Sequence, residues 1–129
     1  MNKILVEVSV GELLDKISIL EIKKEKISDQ ESLQFINKEY QVLKDQFNKN
    51  IKSDEKLNKL FDELKEINLK LWSIEDEKRL HEKNTNFGEK FIKLSRDIHF
   101  LNDSRSKIKL EINKQTGSLI REIKKYTSY

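Results

Sequence analysis

A guanidinium placed where a helix seam should be apolar is the most informative irregularity in the sequence. Phe87, Phe91, Leu94, Ile98, Leu101, Arg105, Ile108 and Ile112 recur at alternating steps of four and three, so Arg105 takes a core position in a heptad-like seam. A buried charge cannot stay unpaired, so Arg105 must meet a carboxylate from another helix or open onto solvent. Asp103 and Asn102 are its neighbours in sequence, but Asp103 is too close to share its helix face. Glu21 and Asp15 can approach from an earlier helix, and Asn68 falls near the same level. Paired, Arg105 fixes helix register. Unpaired inside a bundle, it is an anion-binding residue.

Three other clusters carry side chains capable of chemistry. Lys78 and His81 continue the seam of the preceding helix, where they are either a solvated end of the seam or, with Lys93 and Arg96, a small basic mouth. Trp72, Glu75 and Asp76 form a dense spot. The Trp flanks the seam, and the adjacent acids point about 100° apart on a helix, so alone they cannot act as a carboxylate pair. They read as surface acids or as partners for Arg105 and Arg79. Early in the chain, Glu12 suits a helix cap, while Asp15 and Lys16 have no local explanation. His81 and His99 are preceded three residues earlier by Lys78 and Arg96, so no Glu-x-x-His pair for a di-iron bundle exists. No phosphate loop, dinucleotide fingerprint, nucleophile elbow or zinc spacing occurs. The expectation is no metal and no cofactor.

Four helices must position these residues. Ser9-Val10-Gly11-Glu12 reads as a capping box opening a helix of about 18 residues with Val10, Leu13, Leu14, Ile17 and Leu20 on one face. Lys3–Val8 before it is apolar and β-branched, one extended segment with no second strand to pair. Ser28-Asp29-Gln30-Glu31 is a second box, opening a helix carried by Leu33, Ile36, Tyr40, Leu43 and Phe47. Ser53 is the expected cap of the third helix, whose seam is Leu57, Leu60, Leu64, Ile67, Leu71 and Ile74. Asn84–Gly88 breaks that helix from the fourth, and Gly117 ends the fourth through a left-handed residue. The reading is an all-α antiparallel bundle of four helices, two hairpins with the second long and coiled-coil-like, forming one domain over 1–129. Residues 118–129 are a tail that docks or stays mobile. The longer hairpin overhangs the shorter and leaves apolar seam for a second subunit, so a homo-oligomer is expected.

Composition narrows the partners. The chain has 129 residues with 26 Lys+Arg against 23 Asp+Glu, no Pro, no Cys and three Gly. With 38% charged residues of finely mixed sign, the surface reads as an ion-paired coat, not the one-sided basic patch of a nucleic-acid binder. No membrane span or signal peptide is expected, because no apolar run approaches about 20 residues.

The blocks VEVSVGELLDKISILEIKKEKISD, INLKLWSIEDEKR, FGEKFIKLSRDIHFLNDSR and KIKLEINKQTGS resemble, in order, a family of short all-helical bacterial proteins of unknown function. The resemblance implies no assigned activity. It implies a gene neighbourhood of glycosyltransferases and surface-polysaccharide synthesis. The tail departs from the acidic ending of that family, since Arg121, Lys124 and Lys125 make it basic. The matching blocks contain Glu12, Asp15, Lys16, Asn68, Trp72, Glu75, Asp76, Asn102, Asp103 and Arg105, which with Glu21 would line one polar patch if helices one, three and four converge. The expected function is a cytoplasmic, non-enzymatic module for protein–protein contacts, an accessory to polysaccharide synthesis. The rival is a small anionic-ligand or enzymatic site built around Arg105.

Overall fold

Side-chain caps set where each helix begins. In the computed structural model, which describes residues Met1–Tyr129, α1 spans Val10–Lys26, α2 Gln30–Asn50, α3 Glu55–Lys83 and α4 Glu89–Thr116. Ser9 caps α1 as expected, its hydroxyl accepting from the Glu12 N–H. The next two caps shift by one residue: Asp29, not Ser28, accepts from the Ser32 N–H, and Asp54, not Ser53, accepts from Leu57. A carboxylate is favoured over a hydroxyl there because its charge also meets the positive end of the helix dipole. Phe87 lies in the loop before α4 and is half exposed, so the α4 seam starts at Phe91. Gly117 closes α4 in the left-handed region (φ 65°), with the Ser118 N–H returning to the Asn113 carbonyl.

The four helices form an all-α bundle organised around α1. It packs against α2, α3 and α4, α3 packs against α4, and no other pair of helices makes close backbone contact. Both expected hairpins form, α1 with α2 and α3 with α4, and α1 alone joins one hairpin to the other. Helix α1 lies in the groove of the α3–α4 hairpin, and α2 lies along α1 from outside. Composition along the helices explains this. Gly11, Leu13, Leu14, Asp15, Ile17, Ser18, Leu20 and Ile22 of α1 are all buried, whereas α2 buries only Ile36 and Phe47. A helix buried nearly all round must be central; one with a single narrow stripe sits at the edge. The core joins Leu13, Leu14 and Ile17 of α1 to Phe47, Leu57, Leu64 and Ile112. Beyond the end of α1 the α3–α4 hairpin continues alone, leaving Leu80, Phe87 and Ile92 about half exposed.

Gly11 permits a close approach between α1 and α4. A Cβ built there would stand 2.6 Å from the backbone carbonyl oxygen of Lys109 in α4. The Gly11 N–H, which has no acceptor within its own helix, donates to Asn113 Oδ1 at 2.7 Å. Helix propensity favours Gly11→Ala by at most about 1 kcal/mol, while overpacking costs about 1–3 kcal/mol and also weakens that hydrogen bond. We predict that Gly11→Ala lowers the urea midpoint despite its better propensity; an unchanged or raised midpoint would show that the helices separate freely.

Candidate functional site

The polar residues converge where α1, α3 and α4 meet. Asp15 is 2% exposed and sits at the centre. Arg105 engages it as a fork, Nε donating to Oδ1 at 3.0 Å and Nη2 to Oδ2. Asn68 Nδ2 donates to Asp15 Oδ1 at 2.9 Å and to Ser18 Oγ at 2.8 Å, and the Ser18 hydroxyl donates in turn to the Asp15 carbonyl. Lys109 places its ammonium 3.8 Å from Asp15 Oδ2 while donating to Glu12 at 2.7 Å and Glu122 at 3.3 Å. Glu12 therefore pairs with Lys109 and does not complete the expected capping box. Every buried side-chain nitrogen and oxygen in the protein has a hydrogen-bond partner.

A second part of the network closes the start of α1. Its first four N–H groups, the ones a helix cannot satisfy itself, all have acceptors: Val10 on Ser118 Oγ, Gly11 on Asn113 Oδ1, and Glu12 and Leu13 on the hydroxyl and carbonyl of Ser9. Two of these acceptors come from the C-terminal end of α4, so the Gly117 turn aims Ser118 at α1.

Protonation follows the geometry. Burial opposes ionisation of Asp15, but the hydrogen bonds from Arg105 and Asn68 and the charges of Arg105 and Lys109 outweigh it, holding the carboxyl below its ordinary 3.8. The Arg105 fork on Asp15 raises the arginine against its own burial. Burial likewise opposes the charge on Lys109, and Glu12, Asp15 and Glu122 together raise it above its ordinary 10.5.

Not all the expected residues join this network. Glu21 accepts from Tyr40 and Lys65 and does not reach Arg105. Lys16 is exposed and faces the groove by the N-terminal segment. Asn102 stands 3.5 Å from Arg105 Nη1, and Asp103 accepts from the Tyr129 hydroxyl. The tail thus docks along α4, where Tyr129 also packs edge-on against Phe100. Glu75 and Asp76 form no ion pair with Arg105 or Arg79 and stay exposed. They instead line a cleft of about 350 Å³ together with Asn68, Trp72, Arg79, Arg105, Leu71, Ile19 and Ile22. Of the residues of the expected basic mouth, Lys93 pairs with Asp97 and Lys78 lies over the Phe91 ring. No group of three or more His, Cys, Asp or Glu side chains gathers as metal ligands would.

Gly11, Ser18, Lys109, Asn113, Ser118 and Glu122 belong to the network and escape the seam reading. One signal for them exists. Gly11, Asp15 and Ser18 on α1, and Arg105, Lys109 and Asn113 on α4, recur every three or four residues as small or polar stripes beside the apolar ones.

A family of unknown function, DUF6165, matches residues 4–129. The chain belongs to it. No curated protein and no solved structure gives a significant match. Membership in DUF6165 adds no activity to what the geometry allows, and the geometry is that of a closed charge network with one apolar-floored cleft beside it.

Two predictions test the network. Removing one partner of a buried ion pair costs about 3–5 kcal/mol, because the other charge is left unpaired. Arg105→Met should therefore lower stability by about that amount, and Asp15→Leu/Arg105→Met should cost clearly less than its two single substitutions summed; strict additivity in a urea double-mutant cycle would remove the pair as the anchor. Because the folded carboxyl of Asp15 lies below its unfolded value, its contribution is present above about pH 4 and lost as pH falls through the lowered value. The thermal midpoint of wild type should drop more steeply below pH 4 than that of Asp15→Asn; parallel acid profiles would contradict this.

Proposed function

We propose that the chain is a non-enzymatic protein–protein interaction module. The observation that carries this reading is the contrast between its polar and apolar residues. The buried charges neutralise one another and leave no orphan group for catalysis, whereas a large groove with exposed apolar side chains among polar ones stays open at one end of the bundle. That groove, about 1090 Å³, runs between residues 4–8, α2 and residues 117–120, and Val42, Leu43, Ile51, Leu119 and Ile120 are among its apolar lining. Exposed apolar surface rimmed by polar residues is the usual mark of a docking face. No helix is long and apolar enough to cross a membrane. We take 1–129 as one domain, acting in the cytoplasm of a bacterium, as a homo-oligomer or with a protein partner. The setting beside surface-polysaccharide synthesis follows from the family resemblance, and nucleic acid is disfavoured by the mixed charge.

The reading is tested by quantitative affinity purification from the native host with wild type and Val42→Asp as baits. Val42 is 55% exposed, so the substitution leaves the fold intact. A host protein enriched by wild type and lost with Val42→Asp is the expected result; equal recovery by both baits would overturn the groove as the docking face.

The cleft beside Arg105 favours a second reading, a small-ligand site. Its apolar floor of Ile19, Ile22 and Leu71, the Trp72 ring and the unpaired Glu75, Asp76 and Arg79 suit a ring-bearing, polar-edged molecule. Asp15 already neutralises Arg105, so simple anion capture is not supported. Trp72 is the only Trp, so its fluorescence reports on this cleft alone. Titration with nucleotides and nucleotide sugars should quench or shift it; no response to any of them would sink the ligand reading.

A further inference from the structure

Residues Lys3–Val8 lie outside all four helices, and none of their backbone N–H or C=O groups bonds to another backbone group. Ile4, Leu5 and Val6 are 85%, 88% and 75% exposed. Lys3 and Glu7 take part in no ion pair. A β-branched, apolar segment with a free edge is a template for strand pairing.

The order of residues in this segment specifies which strand fits. Set antiparallel to itself about Leu5, Lys3 stands opposite Glu7, Ile4 opposite Val6, Leu5 opposite Leu5, and Glu7 opposite Lys3. Both charged pairs are then attractive and every remaining pair within Lys3–Glu7 is apolar. A slip of one residue sets Lys3 against Val8 and Ile4 against Glu7, and a parallel in-register pairing sets Lys3 against Lys3 and Glu7 against Glu7. Charges of opposite sign facing across a ladder stabilise it and like charges destabilise it, so one register and one direction are selected.

We propose that two copies of this chain associate through an antiparallel two-stranded ribbon formed by Lys3–Glu7 of each, centred on Leu5. The contact is two-fold and self-complementary, as a closed dimer requires. A two-stranded ribbon is marginal in water unless one face is covered. Ile4 and Val6 of both copies share one face of the ribbon, and the apolar side chains Val42, Leu43, Leu119 and Ile120 line the same groove as residues 4–8 and supply the cover. This deepens the interaction reading and rests on it, by naming one partner as a second copy.

Sedimentation equilibrium of the full chain tests the proposal. Wild type should dimerise. Lys3→Glu and Glu7→Lys each turn two attractive pairs into two repulsive ones and should raise the dimer Kd about tenfold or more. Lys3→Glu/Glu7→Lys restores both pairs and should return the Kd to near wild type, and an equimolar mixture of the two single variants should form a heterodimer. All four positions of charge lie outside the helices, so circular dichroism should be unchanged. A wild type that stays monomeric to roughly 1 mM, single variants that dimerise like wild type, or a double variant that fails to recover would each overturn the ribbon. If wild type is monomeric yet keeps its Val42-dependent host partner, the ribbon fails and the interaction reading stands; if that partner is absent as well, both fail.

Discussion

A carboxylate with almost no access to water stands at the junction of three helices, and the arrangement of α1, α3 and α4 follows from what its ionisation requires. Asp15 cannot keep its charge without donors on several sides. Arg105 comes from α4, Asn68 from α3, and Ser18 from the next turn of α1 orients the amide. Sliding any one helix by a turn would strand the charge, so the pair specifies a single register among the many that apolar seams alone would tolerate. Lys109 extends the same logic one turn along α4 and ties in Glu12 and the tail residue Glu122.

The second constraint is the start of α1. Its exposed N–H groups are met by Asn113 and Ser118 at the end of α4, which demands that the two backbones approach closely, and the approach demands glycine at position 11. Hydrogen bonds and ion pair therefore act on the same helix pair from adjacent turns. The charges at this junction are committed inward and to one another. Exposed apolar side chains gather at the N-terminal groove and along the overhanging hairpin, and the proposed contact with other chains rests on them.

Much of this was legible in one dimension because it depends on periodicity and on local chemistry. Four helices and their breaks follow from three-and-four spacing, from capping residues and from the Gly117 stop. Arg105 stood out as a charge at an apolar position, and Asp15 and Asn68 were among its few possible partners. Where the structure departs from these local signals, the causes are physical. Ser28 and Ser53 lost their caps to neighbouring aspartates, whose charge the helix dipole favours. Within one dimension Glu12 fits a cap at its own helix end, because its partner Lys109 is distant in sequence. Glu21 was drawn to Lys65 and Tyr40 on helices whose rotation a seam does not define.

The sequence by itself determined that this chain is helical, where its four helices begin and end to within a few residues, and that one arginine at a seam position had to be either paired or solvated. Only the tertiary structure decided that α1 is the central helix, that Asp15 pairs with that arginine, and that the end of α4 caps the start of α1. Local signals act within a few residues of backbone. The choice among partners is made by which faces lie within about 3 Å once the helices pack, and that depends on every seam in the bundle at once.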